Sequence, residues 1–163
     1  MGNKNLTILL GGLLIVGLVG CATSQKVTTP GVGDRFEPNN YIFNPTTIEE
    51  NSTIKATINP AGDIDFYKIY RPFSSNQMQQ VRVTLLNQAK NLELQLIFYD
   101  QNREEIATAG ARERGTTQVI GRFIAQPNVN YYIAVFSGEK AARGYIDKEN
   151  SPEFYTLKVE IGK

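Results

Sequence analysis

The sequence predicts an all-β fold, a sandwich of two antiparallel sheets with about eight short strands. Three observations support this prediction. Apolar and polar residues alternate in several segments after residue 36, which places one face of a strand in a core and the other toward water. Clusters of Asn, Asp, Gly and Pro separate these segments. No long segment has apolar residues at helical spacing, and the length of 163 residues suits one globular domain.

The first 20 residues are typical of a lipoprotein signal peptide. One cation, Lys4, precedes an uncharged apolar run over residues 6–20, which as a helix spans about 22 Å and falls short of the ~30 Å bilayer core. The run ends in Leu-Val-Gly-Cys, which resembles the lipobox of bacterial lipoproteins. We therefore expect lipidation of Cys21, the only cysteine. Because Ala22 rather than aspartate follows it, we expect a lipid anchor in the outer membrane of the cell envelope, facing the periplasm or the cell surface.

The rest of the chain divides into a tether and a domain. Residues 21–35 are rich in Thr, Gly and Ser and are expected to be a flexible tether, and residues 36–163 form the domain. Strands are predicted at Thr53–Ile58, Ile64–Tyr70, Val81–Leu85, Leu92–Tyr99, Glu105–Ala109, Thr117–Ala125, Tyr131–Phe136 and Tyr155–Ile161. The charged segment Gly138–Pro152 is expected to be a surface loop. The predicted core is Ile54, Ile58, Phe66, Val81, Val83, Leu85, Leu94, Leu96, Phe98, Ile120, Phe123, Ile133, Val135, Leu157 and Val159.

Composition excludes several chemistries. The chain has no histidine and one cysteine, which removes Ser–His and Cys–His catalysis, thiolate–histidine zinc sites and an intramolecular disulfide. The net charge of +1 provides no basic field for nucleic acid. A carboxylate pair of the glycosidase kind would have to come from such residues as Asp100 and Glu104, whose positions at strand ends are explained more simply as surface charge. We therefore predict a protein that is not an enzyme and has no catalytic residues.

Five segments, in this order and spacing, resemble the bacterial pre-peptidase C-terminal domain. They are Glu-Pro-Asn-Asn at 37–40, Gly-Asp-Ile-Asp-Phe-Tyr at 62–67, the apolar strand at 92–100, Asn-Tyr-Tyr-Ile-Ala-Val at 130–135 and the closing strand at 155–159. The resemblance covers about residues 36–161. It implies a jelly-roll-like β-sandwich that acts as a non-catalytic binding or processing module. Such modules are usually attached to secreted peptidases, whereas we expect this one to stand alone on its anchor.

Some members of that family bind calcium, and the resemblance implies a calcium site at Glu37, Asn39, Asn40, Asp63 and Asp65. Calcium prefers six to eight oxygen ligands, which carboxylates, amides and carbonyls supply. Thr57 is a weaker candidate, and Arg35 would repel a cation. The alternative interpretation is structural: the aspartates flank a tight turn, and Glu37 and Asn39 cap the first strand through hydrogen bonds.

An aromatic ligand surface is predicted at Tyr131, Tyr132, Tyr145 and Tyr155. Taken together, the sequence predicts a lipid-anchored, non-catalytic binding module of the cell envelope, assisted by calcium, that contacts a protein or a polysaccharide. The alternative is a structural accessory subunit of an envelope complex with no small ligand. A carboxylate-dependent hydrolase is a remote third hypothesis.

Overall fold

The computed structural model describes residues 34–70, 76–141, 144–146 and 151–162. Within these ranges the chain forms eleven strands and no helix. The strands are β1 (Thr46–Ile48), β2 (Thr53–Ala56), β3 (Ile64–Tyr70), β4 (Gln79–Asn87), β5 (Leu94–Tyr99), β6 (Glu105–Gly110), β7 (Gln118–Ala125), β8 (Asn130–Ser137), β9 (Glu139–Ala141), β10 (Gly144–Ile146) and β11 (Tyr155–Ile161). The described residues contain no helix that is long and apolar enough to cross a membrane.

The predicted two-sheet sandwich is confirmed. One sheet has five strands in the order β1-β3-β8-β5-β6, the other has four in the order β2-β11-β4-β7, and β9 and β10 form a separate two-stranded ribbon. All pairs are antiparallel except β1 with β3, which is parallel. The eight predicted strands are all present, with ends that differ by at most two residues.

Three short strands were not predicted. β1 is only three residues long, too short to show alternation, and it exists because it pairs in parallel with β3 at the sheet edge. The other two, β9 and β10, pair with each other inside the segment Gly138–Pro152, which was predicted to be a long surface loop. Strands this short form through pairing with a neighbour, which a local hydrophobic pattern does not report.

The main core lies between the two sheets. The predicted core residues are buried there, except that Ile120 is partly exposed and Phe66 faces the other side of its sheet. Aromatic rings fill the centre: the Phe98 and Phe123 centroids are 5.2 Å apart, and the Phe123 and Tyr131 centroids are 5.0 Å apart. Gly121 allows this packing, because a Cβ there would lie 2.4 Å from two Phe98 ring atoms.

A second apolar cluster covers the outer face of the five-stranded sheet. It consists of Phe66, Ile97, Ala134 and Phe136, with Ile42 packed against them. Ile97 alternates with the predicted core residues Leu96 and Phe98, so a period-two pattern predicts that it faces water, yet its side chain is 2% exposed. One reason is that Ile42, from the loop before β1, packs on this face, and a period-two pattern does not report that a loop covers the second face of a sheet.

Candidate metal centre

The turn between β2 and β3 positions two aspartates. The Asp63 N–H donates to the Pro60 carbonyl (3.1 Å), and Gly62 supplies the positive φ of 84° that this turn requires. The Asn59 N–H donates to Asp63 Oδ2 (2.9 Å), which fixes this carboxylate at the start of β3. Two residues further along the strand, Asp65 lies on the same face because side chains alternate along a strand.

The segment before β1 brings a third carboxylate to the same place. Asp34 anchors this segment: its Oδ1 accepts from the Phe36 N–H (2.9 Å) and its Oδ2 accepts from the Thr57 N–H (2.6 Å). The Asn39 carbonyl accepts from the Phe66 N–H (2.9 Å), which ties the segment to β3. These bonds place Glu37 opposite the two aspartates.

The three carboxylates form one compact group. One oxygen each from Glu37, Asp63 and Asp65 lies within 4.8 Å of the others. The group is graded in depth, since Asp65 is fully buried, Asp63 is 3% exposed and Glu37 is partly exposed. Asp65 is thus the innermost carboxylate of the group and Glu37 the outermost.

Burial and mutual repulsion disfavour three negative charges in this group. Desolvation is the largest cause that raises the pKa of each carboxyl, and the Asp63 charge raises the pKa of Glu37 and Asp65 further. Asp34 adds a smaller contribution in the same direction. Backbone N–H groups lower the pKa of Glu37 and Asp63 in part. At Asp65 the pKa is raised well above its ordinary value.

Several polar atoms of this group lack protein partners. Asp65 Oδ1 is buried without a hydrogen bond, and so are both amide atoms of Asn39. The side-chain amide of Asn40 lies 2.9 Å from Glu37 Oε2 and 3.2 Å from Asp63 Oδ1; with its nitrogen toward them, it donates to both. Rotated by half a turn, the amide would place its oxygen there as a cation ligand.

Two buried tyrosines complete the surroundings of Asp65. Tyr155 on β11 donates to Asp65 Oδ2 (2.5 Å), and its oxygen lies 2.6 Å from the Tyr67 hydroxyl oxygen on β3. Burial is the largest cause that raises the pKa of both phenols well above the ordinary value, and the Asp65 charge adds to it. The phenols therefore stay protonated and act as hydrogen-bond donors.

The structure thus brings together four of the five predicted metal ligands: Glu37, Asn40, Asp63 and Asp65. Asn39 is buried beside them, and its N–H donates to Glu37 Oε2 (3.2 Å). The Thr57 hydroxyl is buried and has no hydrogen-bond partner. The Arg35 guanidinium lies 4.8 Å from the Phe36 ring centroid; its repulsion of a cation stays a prediction.

Sequence reasoning missed two residues of the centre. Asp34 falls in the predicted tether, yet its carboxylate accepts a hydrogen bond from the Thr57 N–H, 23 positions along the chain. Tyr155 was predicted to belong to a ligand surface, whereas its hydroxyl contacts Asp65 from 90 positions away. No local pattern pairs residues at that separation.

The predicted aromatic ligand surface is wrong for three of its four residues. Tyr131, Tyr132 and Tyr155 are 4%, 7% and 1% exposed, because β8 and β11 turn them into packed faces of the sandwich. The side chain of Tyr145 lies outside the described part of the chain, as does Cys21 with the predicted signal peptide. Among the residues whose side chains the structure describes, the exposed aromatic ones are instead Tyr41, Phe43, Tyr70 and Phe154.

Comparisons with known proteins show a fold likeness. The pre-peptidase C-terminal domain of a collagenase from Bacillus anthracis has a TM-score of 0.51 and 17% identity, over 71% of this chain and 94% of that one. PliG of Aeromonas hydrophila, a periplasmic inhibitor of g-type lysozyme, has a TM-score of 0.43 and 17% identity, over 72% and 96%. A β-glucosidase from Paenibacillus barengoltzii has a TM-score of 0.29 and 13% identity, over 69% and 11%. No protein-family model and no curated protein matches the sequence. The first comparison supports a fold like that of the pre-peptidase C-terminal domain.

Proposed function

We propose that this protein is a lipid-anchored, non-catalytic binding module of the cell envelope that holds a calcium ion and contacts a protein or a polysaccharide. One observation carries the proposal. Asp65 Oδ1 is fully buried without a hydrogen-bond partner, inside a group of three carboxylates. Leaving an anionic oxygen in that state is costly, and a bound cation removes the cost by coordination.

The donor set favours calcium among the biological cations. Two oxygens bound to one calcium ion at about 2.4 Å stand at most about 4.8 Å apart. The carboxylate oxygens of Glu37, Asp63 and Asp65 meet this limit. All the donors of the group are oxygens, which suit calcium better than zinc or copper, and the chain has no histidine. Waters would fill the remaining positions of a six- to eight-coordinate ion.

The binding surface that we propose includes exposed rings of the segment before β1. Tyr41 and Phe43 are 72% and 78% exposed and belong to the segment that carries Glu37 and Asn40. The Arg103 guanidinium lies 4.5 Å from the Phe43 ring centroid and 5.6 Å from that of Tyr132. Exposed rings next to a guanidinium offer an apolar contact and hydrogen-bond donors together, which suits a sugar ring or a protein loop.

Other observations support a binding role over catalysis. Asp100, a candidate for the hydrolase hypothesis, uses its carboxylate inside a turn, where Oδ1 accepts from the N–H groups of Asn102 (2.8 Å) and Glu104 (2.9 Å). The motif Leu-Val-Gly-Cys that ends at Cys21 supports the lipid anchor. The likeness to a collagenase's pre-peptidase C-terminal domain supports a module that serves other proteins of the cell exterior.

The proposal is tested by capture from the envelope. Protein immobilised in detergent is exposed to solubilised envelope in millimolar calcium and, separately, in chelator. We expect a protein or polysaccharide to be retained in calcium, released by chelator and lost with Phe43→Ala. Ile124→Ala is the matched control. Ile124 is also exposed (57%), but it lies on β7 of the four-stranded sheet, outside the proposed surface. Retention that is equal in chelator, or equal loss for both variants, would contradict the proposal.

A further inference from the structure

Two consecutive hydrogen bonds link the buried side chains of Asp65, Tyr155 and Tyr67, and they lead from the carboxylate group into the centre of the sandwich. Tyr67 is fully buried and Tyr155 is 1% exposed, and their hydroxyls and Asp65 Oδ2 form two consecutive hydrogen bonds of 2.6 and 2.5 Å. Tyr67 and Asp65 belong to the five-stranded sheet and Tyr155 to the four-stranded sheet. These hydrogen bonds therefore cross between the two layers.

The direction of the hydrogens follows from the number of donors. The form of Asp65 that binds a cation is ionised and can only accept hydrogen bonds, so Tyr155 donates its single hydroxyl hydrogen to Asp65 Oδ2. Tyr67 must then donate to the Tyr155 oxygen. Both hydroxyls are removed from water, so neither has a solvent partner to turn to. Asp65 Oδ2 thus accepts the hydrogen bond from Tyr155, whereas Asp65 Oδ1 has no hydrogen-bond partner.

We propose that Tyr155, backed by Tyr67, is a positioning residue of the cation site that restricts Asp65 to coordination through Oδ1 alone. This inference rests on the proposed function, since it concerns the same site. A hydrogen bond from outside the ligand shell fixes the orientation of a metal-binding group and tunes its affinity. Here the donor comes from β11, so the coordination geometry depends on the packing of the opposite sheet.

The number of waters on a bound lanthanide tests the inference. The full-length protein in detergent is loaded with Tb³⁺, whose emission a nearby tyrosine sensitises, and the chain has no tryptophan to interfere. Decay rates in H₂O and D₂O give the number of bound waters. In Tyr155→Phe the freed Oδ2 joins the ion and displaces a water, so we expect that number to fall by about one. In Tyr67→Phe, which keeps the bond from Tyr155 to Asp65, it should not change.

Tyr131→Phe is the matched control, because Tyr131 is a buried tyrosine whose hydroxyl accepts from the Gln126 N–H (2.8 Å). The outcomes separate the two levels of the argument. A wild-type protein that does not bind Tb³⁺ or calcium overturns the proposed function. A wild-type protein that binds, with the same number of waters in Tyr155→Phe, overturns this inference alone and leaves the hydroxyl chain a purely structural contact.

A second measurement uses only the wild-type protein, so it does not depend on whether a variant folds. In a crystal structure of the calcium-loaded wild-type protein, we expect Asp65 Oδ1 at 2.3–2.6 Å from the ion, the usual calcium–oxygen distance. Oδ2 should stay at hydrogen-bond distance from the Tyr155 oxygen. Both Asp65 oxygens at coordination distance would refute the positioning role.

Discussion

Replacing Asp65 with asparagine should make the protein more stable without calcium and less stable with it. In the absence of calcium, three carboxylates lie within 4.8 Å of one another. Two unit charges at that distance repel by about 3.5 kcal/mol at an effective dielectric constant of about 20. Partial protonation, which the raised pKa values favour, reduces the repulsion that remains at neutral pH. We therefore expect Asp65→Asn to gain about 1–2 kcal/mol in chelator. Its amide can still accept from Tyr155.

Calcium should reverse the order of the two proteins. A ligand at a hundred times its Kd stabilises the folded state by about 2.7 kcal/mol, which in a domain of this size raises the melting temperature by about 10 °C. Asp65→Asn should lose most of this increment, because the innermost carboxylate of the group is replaced by a neutral amide. The assay is thermal unfolding of both proteins in chelator and in millimolar calcium.

Asp100→Asn serves as the control for this experiment. Its carboxylate caps a turn outside the group, so the variant should lower the melting temperature in both conditions and keep the calcium increment. The reasoning is refuted if Asp65→Asn keeps the increment, or if it is clearly less stable than the wild-type protein in chelator.

Three further predictions concern the pH dependence, the core and the anchor. In chelator, stability should fall as the pH rises above the ordinary range of carboxyl pKa values, because the folded protein, in which the pKa values of Glu37, Asp63 and Asp65 are raised, binds more protons there than the unfolded chain. Calcium should flatten this curve. A stability that rises with pH in chelator would contradict the reasoning. Leu96→Ala should cost about 2–5 kcal/mol in denaturant unfolding, against under about 0.5 kcal/mol for the exposed Gln118→Ala, and equal losses would show that the buried face is misassigned. Mass spectrometry should find acyl mass on Cys21 and none after Cys21→Ser; an unmodified Cys21 in the mature protein would end the anchor hypothesis.

The strands could be predicted because alternation is a local property. Leu94, Leu96 and Phe98 face the main core as their spacing indicates. The same rule failed for Ile97, since a covering loop buries the second face of that sheet. It failed also for the parallel pairing of β1, because a three-residue strand forms only when the rest of the sheet exists. Local patterns thus predict strands but not what packs against them.

The site was predictable to the extent that its residues share short motifs. Glu37 and Asn40 lie in one motif, and Asp63 and Asp65 lie in another, so the resemblance could place them together. The contact from Tyr155 joins residues 90 positions apart, and only the meeting of β3 with β11 creates it. The aromatic ligand surface failed for a related reason, since alternation marks which strand residues share a face but not that both faces are covered.

Titration calorimetry of the chelator-stripped protein with calcium measures directly whether the carboxylate group binds the ion. We expect heat that saturates at one ion per chain with a Kd at or below about 10⁻³ M, the range of extracellular calcium modules. The same titration of Asp65→Asn should show little or no binding. A wild-type protein that gives no heat up to several millimolar calcium, with an unchanged melting temperature, would contradict the proposed calcium site. The carboxylates would then have only a structural role, as hydrogen-bond acceptors in the turn and at the strand end.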